Sequence, residues 1–182
     1  MNAEKSALRS IALAKRAAMS VKSRESASAE ICRRIAECPE FMSARTVMLY
    51  RAAGAEADLS GLYGYPGKRI VFPVSRGNGI MDAFEPGAWR RGLYGIWEPD
   101  PELSRIVPPE DIELIVCPCA AFDSAGGRLG MGGGYYDRYL DDAENAVVIC
   151  AAFDVQRAES VPVEEHDRMM DMVVTEGKLL RF

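Results

Sequence analysis

Gly126-Gly127-Arg128-Leu129-Gly130-Met131-Gly132-Gly133-Gly134-Tyr135-Tyr136-Asp137-Arg138 sets six glycines, two arginines, two tyrosines and an aspartate between an apolar strand and a helix. The strand before it is Ile112-Glu113-Leu114-Ile115-Val116-Cys117, a short β-branched run that Pro118 is expected to end, because proline cannot donate to a sheet ladder. The helix after it runs from Tyr135 to Ala143, with Tyr136, Tyr139 and Leu140 at helical spacing. A strand, a glycine loop and a helix in that order make the unit of an α/β fold.

The first N–H groups of a helix lack internal partners and the helix dipole favours an anion there, so this loop suits a phosphate. Glycine lets the backbone come close to phosphate oxygens and adopt positive φ without a Cβ penalty. The spacing is neither of the familiar nucleotide patterns: no Gly-Lys-Ser/Thr follows, and no acidic residue closes a downstream strand as in dinucleotide folds. A surface loop with convenient glycines would show the same local pattern.

The whole chain has 182 residues, 48% hydrophobic and 27% charged, enough for one well-buried core; a single domain over residues 1–182 is expected. A net charge of −5 with no concentrated Lys/Arg run argues against nucleic acid or a membrane surface as the main partner. The five cysteines (32, 38, 117, 119 and 150) and one histidine give no zinc spacing, and two of the cysteines lie in apolar strand-like runs. A reducing, cytoplasmic setting is expected, with Cys117-Pro118-Cys119 the one pair whose spacing also admits redox chemistry. No apolar run approaches transmembrane length, and the first residues do not form a secretory signal.

Upstream, Glu4 to Met19 reads as an Ala-rich helix with Lys5 and Arg9 four apart on one side. Two cations in the first turns oppose the helix dipole, which fits either a functional site or a solvated basic face. A second helix is expected over Ser23 to Cys38, bounded by Pro39, then a first strand over Thr46 to Tyr50. Past that strand's carboxyl end, the usual ligand side of an open α/β sheet, stand Arg51, Glu56 and Asp58. Glu56 is either a site carboxylate or an ordinary helix-start acid. After a short interval crowded with glycine and proline comes a strand from Arg69 to Val74, a hairpin signal at Gly77-Asn78-Gly79, and an irregular stretch from Trp89 to Pro101. Ala146 to Phe153 and Met172 to Thr175 read as the last strands. The expected architecture is α/β: an open, mainly parallel sheet flanked by helices in a Rossmann-like three-layer arrangement.

Arg128-Leu-Gly-x-Gly-Gly-Gly-Tyr-Tyr-Asp-Arg138, with Phe122-Asp123 upstream, closely resembles the signature of the 5-formyltetrahydrofolate cyclo-ligase (methenyltetrahydrofolate synthetase) family. Lys5-x-x-Leu-Arg9, Glu56, Tyr94-Gly-Ile-Trp-Glu98-Pro99 and Pro162-x-x-x-His166-Asp167 resemble further family segments in the same order. The resemblance implies an ATP- and Mg²⁺-dependent conversion of 5-formyltetrahydrofolate to 5,10-methenyltetrahydrofolate, with release of ADP and phosphate. It implies that Lys5, Arg9 and the run Arg128, Leu129, Gly130, Met131, Gly132, Gly133, Gly134, Tyr135 and Tyr136 hold ATP. Arg128 and Tyr135 would act in catalysis, Asp137 and Asp167 would hold Mg²⁺, and Tyr50, Glu56, Met131 and Tyr135 would hold the folate. Tyr94 and Trp97 either stack the pterin or cover a loop.

The chain departs from the family pattern at Gly133, where some relatives carry a lysine, and at Asp58-Leu59, where a threonine is usual; the segment from Glu56 to Arg69 is also short. The expected partners are small molecules, with no nucleic acid or membrane, and a monomer or weak homo-oligomer. Alternatives are an ATP-dependent kinase or ligase acting on another amide or carboxylate, and a non-catalytic nucleotide-binding module.

Overall fold

The computed structural model describes residues 3–164 and 167–182, so the expected Pro-x-x-x-His-Asp run is described except at Glu165 and His166. Helix α1 spans Ala3–Ala18 and α2 Val21–Glu37. Between them Ser20 caps α2, its hydroxyl accepting from the Ser23 N–H at 3.1 Å. Pro39 does end α2, but it also opens a short helix α3 (Pro39–Ser43), where a missing N–H costs nothing. Strand β1 is Thr46–Met48, shorter than expected, although the Leu49 N–H still donates to Val71 O at 3.0 Å.

The glycine-rich interval holds only a 3₁₀ turn, Ser60–Leu62, before β2 (Arg69–Gly77). Gly77, Asn78 and Gly79 all take positive φ and turn β2 back into the antiparallel β3 (Ile80–Glu85). The stretch expected to be irregular is a small antiparallel hairpin of its own, β4 (Trp89–Arg91) and β5 (Trp97–Pro99), in which Gly95 has φ +68°. Strands of three residues leave little periodicity to read.

Next come β6 (Arg105–Val107) and β7 (Leu114–Pro118), which starts two residues later than expected and ends at Pro118. The chain then makes a two-residue hairpin, β8 (Ala121–Phe122) with β9 (Arg128–Leu129), before the glycine loop and α4 (Tyr135–Asp142). Strands β10 (Val147–Ala151) and β11 (Met172–Val174) follow, and β12 (Leu179–Arg181), which the sequence reading did not include, pairs antiparallel with β11.

The main sheet has the order β12-β11-β10-β7-β1-β2-β3-β6. Its centre, β11-β10-β7-β1-β2, is parallel throughout. Alternation along each strand sends side chains to two cores. Val47, Leu114, Val116 and Ile149 face α2 and α3 with Ile31, Ile35 and Phe41, whereas Met48, Ile115, Cys117, Val148 and Cys150 face α4 with Tyr139 and Leu140. A parallel sheet covered on both faces reads as continuous apolar runs, which is why these strands were legible.

From β1 the chain crosses to β2 on one side, and from β7 to β10 on the other. The reversal leaves a crevice beyond the carboxyl ends of β1 and β7, where open α/β sheets bind ligands.

Candidate active site

The β8–β9 hairpin delivers the glycine loop to that crevice. Its turn is organised by Asp123, 5% exposed, whose carboxylate accepts from the N–H groups of Ala125 and Gly127 (both 2.9 Å) and Val161 (2.8 Å). A Cβ on Gly127 would lie 2.8 Å from Asp123 Oδ2, so glycine is required by the close approach. Asp123→Ala strands these donors, and is expected to cost about 3 kcal/mol in urea unfolding.

Beyond the hairpin, no backbone N–H from Met131 to Asp137 donates to another described residue. Gly132 (φ +98°) and Gly134 (φ +63°) give the loop its left-handed turns, and Gly134 caps α4 with no side chain. Two guanidinium groups hold loop carbonyls: Arg9 Nε donates to Gly130 O at 2.8 Å, and Arg138 donates to Gly133 O and, at 2.9 Å, to Gly79 O. In a trans peptide the C=O and N–H point opposite ways, so these contacts fix the direction of the Met131 and Gly134 N–H groups. The result is a cradle of open donors with cations behind it, the chemistry of an anion site.

A cleft of about 930 Å³ runs from this cradle to the exit of β1, at the upper end of the usual size for ligand sites. Every residue singled out for ATP, folate or metal lines it: Lys5, Arg9, Tyr50, Glu56, each position from Arg128 to Asp137, and Asp167.

Their settings differ. Arg128 is buried: its side chain is 2% exposed, it pairs with Asp137, and it lies 5.6 Å over the Tyr136 ring. Leu129 packs in a small core with Ala12, Ala121 and Val161, so only its backbone can serve a ligand. Tyr50 is buried with its hydroxyl donating to Ala57 O at 2.8 Å, which leaves the ring to form wall. Lys5 bonds Asp167 and lies 3.3 Å from Glu164; burial works against its charge, but these bonds win and its pKa is raised. Met131 is 57% exposed at the mouth. There Tyr94 and Tyr135 share a hydroxyl–hydroxyl hydrogen bond of 2.7 Å that ties the β4–β5 hairpin to the loop.

Glu56 Oε2 accepts from the Ala53 N–H at 2.9 Å. Burial raises its carboxyl above the ordinary range, against smaller opposing effects of that bond and of Arg16. A raised carboxyl supports the fold fully only below its unfolded value, and the support is lost as pH rises through the folded value. Glu56→Gln, which keeps an acceptor for Ala53, is therefore expected to raise the melting temperature at pH 7.5 relative to the parent, with the gain vanishing below the ordinary carboxylate range; parallel melts across pH test it.

Among the lining residues outside the set read for ATP, folate or metal are Arg16 and, named only within family segments, Glu98 and Arg138. Arg16 stands seven residues after Arg9 and eleven after Lys5, the same helical stripe, so the spacing alone carried a signal. Glu98 is 6% exposed, and a Cβ on Gly92 would collide with its carboxylate at 2.2 Å. The thiols are structural: all five cysteines are free, and burial pushes Cys117 up to about 12.

A family model described as the 5-formyltetrahydrofolate cyclo-ligase family matches residues 1–176. The chain belongs to that family. Among curated cyclo-ligases, it is 30% identical to the Escherichia coli 5-formyltetrahydrofolate cyclo-ligase over 175 residues, covering 91% of this chain and 96% of that one. It is 33% identical to the Mycolicibacterium smegmatis cyclo-ligase over 145 residues, 74% of this chain and 75% of the other. Among solved structures, the Aquifex aeolicus 5,10-methenyltetrahydrofolate synthetase superposes with a TM-score of 0.86 at 32% identity, covering 97% of this chain and 92% of that one. The cyclo-ligase fold thus extends over the parallel sheet and the cleft together. No helix among the described residues is long and apolar enough to cross a membrane.

Proposed function

We propose that this chain, acting as one domain, converts 5-formyltetrahydrofolate to 5,10-methenyltetrahydrofolate at the expense of ATP with Mg²⁺. The observation that carries the reading is the single cleft joining an open N–H cradle, backed by Lys5, Arg9 and Arg128, to the buried carboxylate of Glu56.

A formamide is a poor electrophile and its oxygen a poor leaving group. Transfer of the γ-phosphoryl to the formyl oxygen breaks the bond to ADP and turns that oxygen into a phosphate ester. The N10 lone pair then attacks the formyl carbon, N10 gives up its proton, and the C–O bond breaks as phosphate leaves. Such chemistry asks a protein for alignment and charge stabilisation rather than a covalent nucleophile. The loop N–H groups and Lys5 would bind phosphate oxygens, and Arg128 would face the transferring group while it fixes Asp137. Tyr135 and Glu56 would orient the folate, with Tyr50 and Met131 as wall.

The donor set fits a metal that arrives with the nucleotide. Among the described residues no three His, Cys, Asp or Glu side chains cluster as a metal site, while Asp137 and Asp167 face the same cleft as the cradle. Magnesium commonly takes one or two carboxylates and completes its shell with phosphate oxygens and water. Bound there, it would neutralise charge on the phosphoryl oxygens.

The test is to mix the purified protein with 5-formyltetrahydrofolate, Mg²⁺ and ATP and follow the ultraviolet absorbance of the methenyl product, omitting ATP in the control. ATP-dependent growth of the band is expected. No band from protein that still binds ATP by calorimetry would refute the reading.

A further inference from the structure

Helix α1 carries three cations on one stripe, and the third has no place in the phosphate chemistry just described. At about 1.5 Å of rise per residue, the Arg16 Cα stands some 16 Å along the helix from that of Lys5. Lys5 and Arg9 meet Asp167 and the glycine loop; Arg16 instead reaches under the sheet's carboxyl edge. There Nη1 donates to Cys119 O at 3.1 Å, an oxygen that also accepts from Gln156 Nε2 at 2.8 Å.

Arg16 is 7% exposed, and that one hydrogen bond is all its guanidinium makes to the described residues; its other donors open to the cleft. Glu56 lines the same cleft, with one bond to Ala53 and no ion pair with Arg16. Two opposite charges set in one cleft wall without closing on each other are costly to fold, and a ligand that takes hydrogen bonds from one and gives them to the other removes the cost.

We propose that Arg16 and Glu56 together read the pyrimidinone edge of the folate, Arg16 donating to the 4-oxo group while Glu56 accepts from N3–H and the 2-amino group. This rests on the proposed folate reaction and adds Arg16 as its specificity residue. The edge presents an acceptor beside two donors, the complement of a guanidinium beside a carboxylate. The charge on Arg16 also lies near enough to act on the Glu56 carboxyl.

The test is calorimetric titration of the full chain with 5-formyltetrahydrofolate in the absence of ATP, and separately with ATP and Mg²⁺. Loss of one hydrogen bond from a charged donor predicts that Arg16→Gln weakens the folate roughly 10- to 100-fold, with ATP affinity held within about twofold. Arg16→Lys, which retains a donor, should fall between. The parent should also prefer 5-formyltetrahydrofolate to its 4-amino counterpart about tenfold or more, a preference Arg16→Gln erases.

Unchanged folate affinity in Arg16→Gln, or equal losses for folate and ATP, overturns the assignment and leaves the reaction standing. Failure of the parent to bind 5-formyltetrahydrofolate removes the reaction and the assignment with it. If melting curves show both variants unfolded, the parent decides: equal affinity for the 4-oxo and 4-amino compounds overturns the proposal.

Discussion

Arg128→Ala is expected to lower the melting temperature by roughly 6–12 °C as well as to abolish measurable turnover. Arg128 lies at the floor of the cleft with its guanidinium against Asp137 and over Tyr136. Removing one partner of a buried pair commonly costs 3–5 kcal/mol, because the other charge is left uncompensated. The Asp137 side chain is 21% exposed and recovers some hydration, so about 3 kcal/mol is the better figure. In a domain of this size each kcal/mol moves the midpoint by about 2–4 °C. Calorimetric melts of Arg128→Ala, Asp137→Asn and the double variant measure it. The double variant should be less destabilised than the sum, since the second change removes the charge that the first strands. Additive losses would show that the pair does not act as a unit.

Asp137→Asn is expected to lose the chemistry at a smaller cost to the fold than Arg128→Ala: it leaves the buried Arg128 charge without its carboxylate, but the amide oxygen keeps the hydrogen bond. Asparagine retains an oxygen for Arg128 and the shape of the first turn of α4, but not the charge that would hold magnesium. Turnover is expected to fall on the order of 100- to 1,000-fold, as when a group stabilising transition-state charge is removed. The Mg²⁺ concentration giving half-maximal rate should rise. Initial rates of methenyl formation across a Mg²⁺ series test this, and near-parental rates at low Mg²⁺ would remove Asp137 from the metal site.

What the sequence disclosed about the molecule follows from how local each feature is. Strands β7 and β10 were legible because both faces are covered, which forces runs such as Leu114-Ile115-Val116 and Val147-Val148-Ile149-Cys150. The glycine cradle was legible because positive φ and close approach leave few residue choices. The β4–β5 hairpin was not, since its strands are three residues each and Tyr94 and Trp97 are exposed. The depth of Arg128 was hidden for another reason. Glycine neighbours suggest a surface loop, whereas the burial comes from α4 and from β7, outside any local window. Arg16 depends on Cys119 O, 103 residues away, and nothing in the sequence states that distance.

The attachment of α1 has a kinetic consequence. Its apolar contact with the β8–β9 hairpin is a small cluster, Ala12 and Leu8 against Ala121, Leu129 and Val161, compared with the two large cores on either side of the sheet. A helix held by so small an apolar cluster is expected to be among the first segments to open, its amide hydrogens exchanging with solvent before those of β7 or β10. The same helix brings Lys5, Arg9 and Arg16 to the cleft, so one wall of the site is expected to share that opening, with Ser20, where the chain leaves helical geometry, at its end. A ligand that bridges this wall to the sheet is then expected to slow its amide exchange, which exchange measured with and without ligand checks.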